Sequence, residues 1–283
     1  MTGQIDPDFW RRKRVLVTGH TGFKGAWTTA VLRTLGAEVF GLSLPPPTTP
    51  SLFEIMGADG ASVSVMADIR EVSNIACIRE WRPQIVLHMA AQALVRQSYA
   101  DAIGTFASNV MGTINVLETL RGLTELEAIL VITTDKVYRN DDTGRAFVES
   151  DPLGGHDPYS ASKAGAEIAT SSYAYSFFKD NGVPVATARA GNVIGGGDWS
   201  NDRIIPDIWR ANREGRPVTL RMPEAVRPWQ HVLEPVAGYL MYCEALASNA
   251  ETPRTLNFGP PPSDVLTVAE VTERFLGGLQ SDI

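Results

Sequence analysis

Tyr159 and Lys163 stand four residues apart in the run Tyr159-Ser160-Ala161-Ser162-Lys163. On a helix, positions i and i+4 share a face, so the phenol and the amine would project into one site. A free tyrosine, with a pKa of about 10, is a poor base near neutrality. A cation beside it favours the phenolate and brings it within range of proton transfer. Taken alone, the spacing also describes one face of an ordinary amphipathic helix. Upstream, Thr133-Thr134-Asp135-Lys136-Val137-Tyr138 offers a hydroxyl, an acid and an amine in succession. Thr134 could hydrogen-bond the oxygen that Tyr159 deprotonates, and Asp135 with Lys136 would set an acid/base pair beside a redox centre. A surface salt bridge or a turn would use the same residues.

A third group precedes both. Thr18-Gly19-His20-Thr21-Gly22-Phe23-Lys24-Gly25 holds glycines in G-x-x-G-x-x-G spacing between an apolar run and a helical pattern. That context suits a dinucleotide loop. Gly19 would allow the tight turn, Gly22 would admit a pyrophosphate at the helix N-terminus, and Gly25 would let helix and strand pack closely. Thr21 and Phe23 complete the loop. The second strand ends at Ser43, where an acid often grips the ribose hydroxyls of NAD, and no arginine is placed for a 2′-phosphate. NAD rather than NADP is expected. Asp68 and Ile69, ending the third strand, could bracket the adenine, while Asp68 could also cap the next helix.

The elements that must position these groups alternate. Strands are expected over residues 14–18, 38–44, 62–67, 84–89, 128–133 and 183–190, and helices over 22–35, 71–81, 105–120 and 158–178. Gly36 would cap the first helix, and the proline run 45–50 forbids regular structure. Continuously apolar strands alternating with helices specify an α/β, Rossmann-type doubly wound parallel sheet. All three motifs fall at strand carboxyl ends, where such sheets bind ligands. Beyond residue 190 the pattern loosens into glycine-, proline- and tryptophan-rich segments. Residues 1–190 are therefore expected to form the dinucleotide-binding domain. Residues 191–283 would form a smaller substrate lobe interleaved with the last sheet elements.

Composition excludes several classes. The net charge of −7 argues against a nucleic-acid footprint. No apolar run reaches the ~20 residues that span a bilayer, and residues 1–14 lack a signal-peptide core, so a cytoplasmic location is expected. Cys77 and Cys243 lie in no metal-ligand spacing and the four histidines are scattered, so no metal is expected.

Further segments carry a resemblance. These are Leu42-Ser43-Leu44-Pro45, Pro50-Ser51-Leu52-Phe53-Glu54, His88-Met89-Ala90-Ala91-Gln92, Gly191-Asn192-Val193-Ile194-Gly195-Gly196-Gly197-Asp198-Trp199 and Arg227-Pro228-Trp229-Gln230-His231-Val232. With the three motifs above, the chain resembles the extended short-chain dehydrogenases/reductases acting on nucleotide sugars, and within them the CDP-glucose 4,6-dehydratase family. The resemblance implies NAD as cofactor, with Ala90, Ala91 and Gln92 lining it and Asn109 on the helix beneath. It implies Asn192, Arg203 and Arg227 on the nucleotide diphosphate, Arg96 near the sugar, and a homodimer. Guanidinium forks match phosphate oxygens, although surface salt bridges would use arginines equally well. Related dTDP-glucose dehydratases carry Asp-Glu where this chain has Asp135-Lys136, so a glutamate base is not implied. Members of the family normally continue past the point corresponding to Ile283, so part of the substrate lobe is expected to lie beyond it.

The implied reaction is dehydration of a nucleoside-diphosphate hexose, CDP-glucose above others. Tyr159 would take the C4 hydroxyl proton, Asp135 would protonate the leaving C6 hydroxyl, and Lys136, made neutral by burial and by nearby Lys163, would remove the C5 proton. A nucleotide-sugar 4-epimerase needs only Tyr159 and Lys163, and a non-catalytic NAD-binding protein needs neither.

Overall fold

The central apolar runs form strands because each is covered on both faces. The computed structural model describes residues 3–57, 61–141, 144–261 and 265–281; Met1 and Ile283 lie outside these. In chain order, α1 (Pro7–Trp10), β1 (Arg14–Thr18), α2 (Phe23–Thr34), β2 (Glu38–Ser43), α3 (Leu52–Met56), β3 (Val63–Met66) and α4 (Cys77–Trp81) come first. β4 (Ile85–His88), α5 (Val95–Ala100), α6 (Ala102–Phe106), α7 (Gly112–Leu120), β5 (Ala128–Ile132), α8 (Pro158–Tyr173) and β6 (Val185–Ala190) follow. The remainder is β7 (Val193–Ile194), α9 (Ile204–Arg213), β8 (Val226–Arg227), β9 (Gln230–His231), α10 (Leu233–Ser248), β10 (Thr255–Phe258), β11 (Leu266–Thr267) and α11 (Val268–Ser281).

Seven strands pair in the order β10-β6-β5-β4-β1-β2-β3, every ladder parallel. The order reverses between β1 and β4, so the crevice outside their carboxyl ends is where this architecture binds ligands. Alternation along each strand divides the core into two layers. Val15, Val17, Val39, Ile85 and Leu87 pack with Leu32 of α2 and Leu240 and Cys243 of α10. Leu16, Leu42, Val86 and Ile129 pack with Val116, Leu117 and Leu120 of α7. Each such buried side chain contributes roughly 1.5–3 kcal/mol over its exposed state.

Some elements differ from expectation. The helix expected over 71–81 is split into a 3₁₀ turn, Val72–Ile75, and α4. The helix expected from 105 begins at Ala102, where Asp101 caps it by accepting the Gly104 N–H at 2.8 Å. It reaches α7 through a π turn, Ala107–Met111. The long helix from Pro158 forms as read, capped by Asp157, and passes into a π turn at Ala174–Phe178. The seventh strand, β10, was not foreseen: it is a four-residue edge strand with no fully buried residue, so its sequence lacks the continuous apolar run. Past Ala190, β7 with β9 and β8 with β11 form two small sheets, whereas α10 and β10 return to cover and extend the main one.

Candidate active site

The glycine loop turns where β1 ends. Gly19 has φ +76°, and a Cβ there would lie 2.8 Å from the Ala90 nitrogen. A Cβ on Gly25 would come within 2.1 Å of the Gly19 carbonyl, so the first turn of α2 can press onto the loop only as glycine. Gly22 is the N-cap of α2 and offers no side-chain cap, so the first-turn N–H groups have no partner from it. These donors at a helix N-terminus fit an anionic diphosphate, and the glycine cradle leaves the backbone bare to meet it. The Thr21 hydroxyl bonds Ser43 Oγ at 2.8 Å and donates to the Leu44 carbonyl at 2.8 Å, joining the loop to the end of β2.

The β4 end is held by side chains. Thr18 Oγ1 accepts from the Met89 and Ala90 N–H groups, each at 3.1 Å. Asn109, 1% exposed in the π turn, accepts the Gln92 N–H at 2.8 Å and donates to the Gln92 carbonyl at 3.0 Å and to Ser162 Oγ at 2.9 Å. Asn109 thus ties the Ala90-Ala91-Gln92 loop to α8. Asp68 does accept the Arg70 N–H at 2.9 Å, but its chief partner is the Arg70 guanidinium at 2.6 Å, which holds its carboxyl below the usual range. Ile69 is buried against Gly112 of α7.

Tyr159 and Lys163 lie one turn apart on α8 and both are buried. Lys163 donates to the Ile132 carbonyl of β5 at 2.9 Å; burial lowers its pKa to about 8, and Glu167 acts the other way. Lys163 was expected to favour the Tyr159 phenolate. Burial raises that phenol, and the groups favouring its phenolate are the Thr134 hydroxyl and Arg203. The amine is committed to the Ile132 carbonyl instead.

Thr134 caps the 3₁₀ turn Asp135–Val137, accepting the Lys136 N–H and donating to Asp135 Oδ1 at 3.1 Å. Burial pushes the Asp135 carboxyl up, opposed by Lys136, Thr134, Arg227 and Lys24. Asp135 Oδ2 would lie 3.1 Å from a Cβ on Gly191, so that glycine makes room for it. The side chain of Lys136 is exposed. The burial on which its expected basicity rested is not present here.

Arg203 precedes α9 and donates to Asp198 at 3.2 Å, while remaining close enough to favour the Tyr159 phenolate. Arg227 is exposed on β8 and acts on Asp135. Asn192 accepts the Gln230 N–H through its carbonyl at 3.0 Å, pinning β7 beside β9. Arg96 pairs with Asp202 at 2.8 Å at the exposed rim, outside the group that surrounds Asp135.

Two members of the cluster were missed. Lys24, quoted only as part of the loop, has its pKa lowered to about 7 by burial and by Lys163 and Arg203, with Asp135 opposing. It donates to Tyr239 Oη at 3.4 Å, and α10 supplies that tyrosine. Lys24 could have been found from its place in the first turn of α2; nothing in the sequence around Tyr239 marks it. Among the described residues no group of His, Cys, Asp and Glu could hold a metal ion, and no helix is long and apolar enough to cross a membrane.

This geometry agrees with what the chain is similar to. Residues 15–259 match the model of the NAD dependent epimerase/dehydratase family. A curated CDP-glucose 4,6-dehydratase of Salmonella typhimurium is 46% identical over 279 residues, covering 96% of this chain and 78% of that protein. A structure of dTDP-glucose 4,6-dehydratase from Streptomyces venezuelae with NAD bound superposes with a TM-score of 0.79 at 27% identity, covering 94% of this chain and 81% of that one. The NAD complex of the UDP-glucose 4-epimerase of Thermus thermophilus also reaches 0.79 at 27% identity, covering 93% and 82%. The Rossmann sheet, its glycine cradle and the Tyr159–Lys163 face thus accompany sequence similarity along nearly all of this chain, and the chain belongs to the NAD dependent epimerase/dehydratase family.

Proposed function

We propose that the protein is a 4,6-dehydratase that converts CDP-D-glucose to CDP-4-dehydro-6-deoxy-D-glucose. The observation that carries this is Asp135. It is a half-buried carboxylic acid pushed towards its protonated form, set beside Tyr159 and followed by an amine. A 4-epimerase has no use for that acid. CDP as the nucleotide rests on the 46% identity to the Salmonella enzyme.

Gly19, Thr21, Gly22, Phe23 and Gly25 would hold the NAD diphosphate, Ser43 the ribose edge, Asp68 and Ile69 the adenine side, and Ala90, Ala91, Gln92 and Asn109 the nicotinamide half. Bound NAD supplies a reversible store for one hydride, taken from sugar C4 and returned to C6. Tyr159 accepts the C4 hydroxyl proton, with Thr134 bonding the same oxygen. The C4 carbonyl then acidifies C5–H. Lys136, covered by the sugar in the complex, removes that proton as Asp135 delivers its own to the departing C6 oxygen. Asn192, Arg203 and Arg227 hold the nucleotide diphosphate, and Arg96 lies on the sugar side. The segments after residue 190, apart from α10 and β10, form the substrate lobe. Incubation with CDP-glucose and NAD should yield a 4-keto sugar, read by its absorbance in alkali. Turnover of another nucleotide sugar alone would remove CDP and leave the chemistry standing.

The exposed apolar residues Tyr99, Ile103, Phe106 and Met111, together with Ile168 and Tyr175 on and after α8, support a homodimer through these helices. The unpaired Cys77 and Cys243 accord with a reducing, cytoplasmic compartment.

A further inference from the structure

Behind the Tyr159–Lys163 face lies a buried ion pair that the proposed chemistry does not use. Glu167, one turn beyond Lys163 on α8, is 4% exposed, and Arg189 of β6 is 5% exposed. Arg189 donates to both Glu167 oxygens, at 3.0 and 2.8 Å. The same carboxylate accepts the Thr133 hydroxyl, just past β5, at 2.5 Å and the Thr187 hydroxyl of β6 at 2.8 Å. The remaining Arg189 nitrogen donates to Tyr138 Oη at 2.8 Å, and the guanidinium lies 4.9 Å from that ring's centroid. Tyr138 in turn donates to Asn257 of β10 at 2.6 Å. Tyr138 also closes the turn that carries Thr134, Asp135 and Lys136.

A buried ion pair is a weak stability device, because a well-packed apolar pair often does as well. A fully satisfied buried network does something else: it admits one arrangement of the elements it joins. Here it joins α8, bearing Tyr159 and Lys163, to the turn bearing Asp135 and Lys136.

We propose that Glu167 is a positioning residue that clamps α8 to the ends of β5 and β6 and, through Arg189 and Tyr138, to the Asp135–Lys136 turn, while supplying the counter-charge to the Lys163 ammonium. The link to dehydration rests on the function proposed above; the counter-charge does not. Glu167 is the group that raises the Lys163 amine against its burial. The other titratable groups facing Lys163 are His88 of β4, itself lowered to about 3, and Lys24 of α2. Glu167 faces Arg189 and Tyr242 of α10. Tyr159 faces Asp135, Arg203, Asp157 and Tyr239.

The chain has five lysines, so lysine labelled at Cε gives a countable NMR spectrum in the intact protein, and Lys163→Met assigns the resonance. In Glu167→Gln the Lys163 midpoint should fall by about one pH unit or more, whereas Glu167→Asp should keep the parent value. An unchanged midpoint in Glu167→Gln would overturn the proposal. Tyr138→Phe cuts the turn from Arg189 and leaves the ion pair. With CDP-glucose it should accumulate reduced nicotinamide and dehydrate about tenfold more slowly at unchanged KM. A parental rate in Tyr138→Phe would sink the clamp. If the parent itself does not turn over CDP-glucose, the dehydratase reading fails, and the Lys163 titration still decides the role of Glu167.

Discussion

Helix α8 and the turn after β5 face each other across the site and are built by different means. On α8, helical spacing puts Tyr159 and Lys163 on one face, and packing buries both. In the turn, Asp135 and Lys136 are adjacent in the chain but turn to different surroundings: the acid is half-buried and the amine exposed. A regular element delivers two groups to one environment, whereas a 3₁₀ turn sends neighbours to two. Redox chemistry needs the first arrangement. An elimination, which asks one group to give a proton and another to take one, can use the second.

Breaking the helix side should cost most. Tyr159→Phe removes the proposed proton acceptor for C4 and should lower turnover of CDP-glucose by about 10³-fold, with no reduced nicotinamide accumulating. Breaking the turn side should separate the two half-reactions. Lys136→Met should leave cofactor reduction intact, visible as reduced nicotinamide absorbance, while cutting the 4-keto-6-deoxy product by roughly 10²-fold. Full dehydration by that variant would refute Lys136 as the base.

The sheet beneath both regions has its own pH dependence. His88, bonded to Thr18 at 2.7 Å and Thr113 at 2.9 Å, is held neutral, its pKa lowered to about 3 by burial and by Lys163. An unfolded histidine titrates near 6.5, so below that pH the unfolded chain binds a proton that the native state refuses. This contribution is complete above about pH 6.5 and is lost progressively as pH falls towards about 3. Urea unfolding at pH 5 should show a loss of ~2 kcal/mol relative to pH 7 from this group, and His88→Gln should flatten the slope. The smallest effect is expected from Lys24→Met, which removes a cation near both regions. It should change kcat by about tenfold and displace the neutral limb of its pH profile, since Lys24 titrates at about 7.

Much of the fold was legible because parallel strands buried on both faces declare themselves as apolar runs, as Ile85-Val86-Leu87 does. β10 escaped because an edge strand needs no such run. The glycine pattern was legible for the same local reason: Gly19 and Gly25 answer steric demands within eight residues of chain. Gly41 was not legible, since its lack of a side chain is explained by the His20 ring, which would lie 2.4 Å from a Cβ there. Asn109 carried meaning through resemblance alone, and only the structure shows it bonding both Gln92 and Ser162.

What the sequence determined by itself was periodic or local: a doubly wound sheet, a glycine cradle at a helix N-terminus, and a phenol and an amine on one helical face. Each follows from repeats of two or about 3.6 residues, or from turns whose constraints lie within the turn. Tertiary structure decided the charge states. Lys24 and Tyr239 meet from helices more than two hundred residues apart, and Glu167 reaches Arg189 from a different element. The half-burial of Asp135 and the exposure of Lys136 were likewise beyond the reach of spacing. Desolvation and charge–charge interaction depend on what packs around a group, and that neighbourhood exists only once distant segments have closed over it.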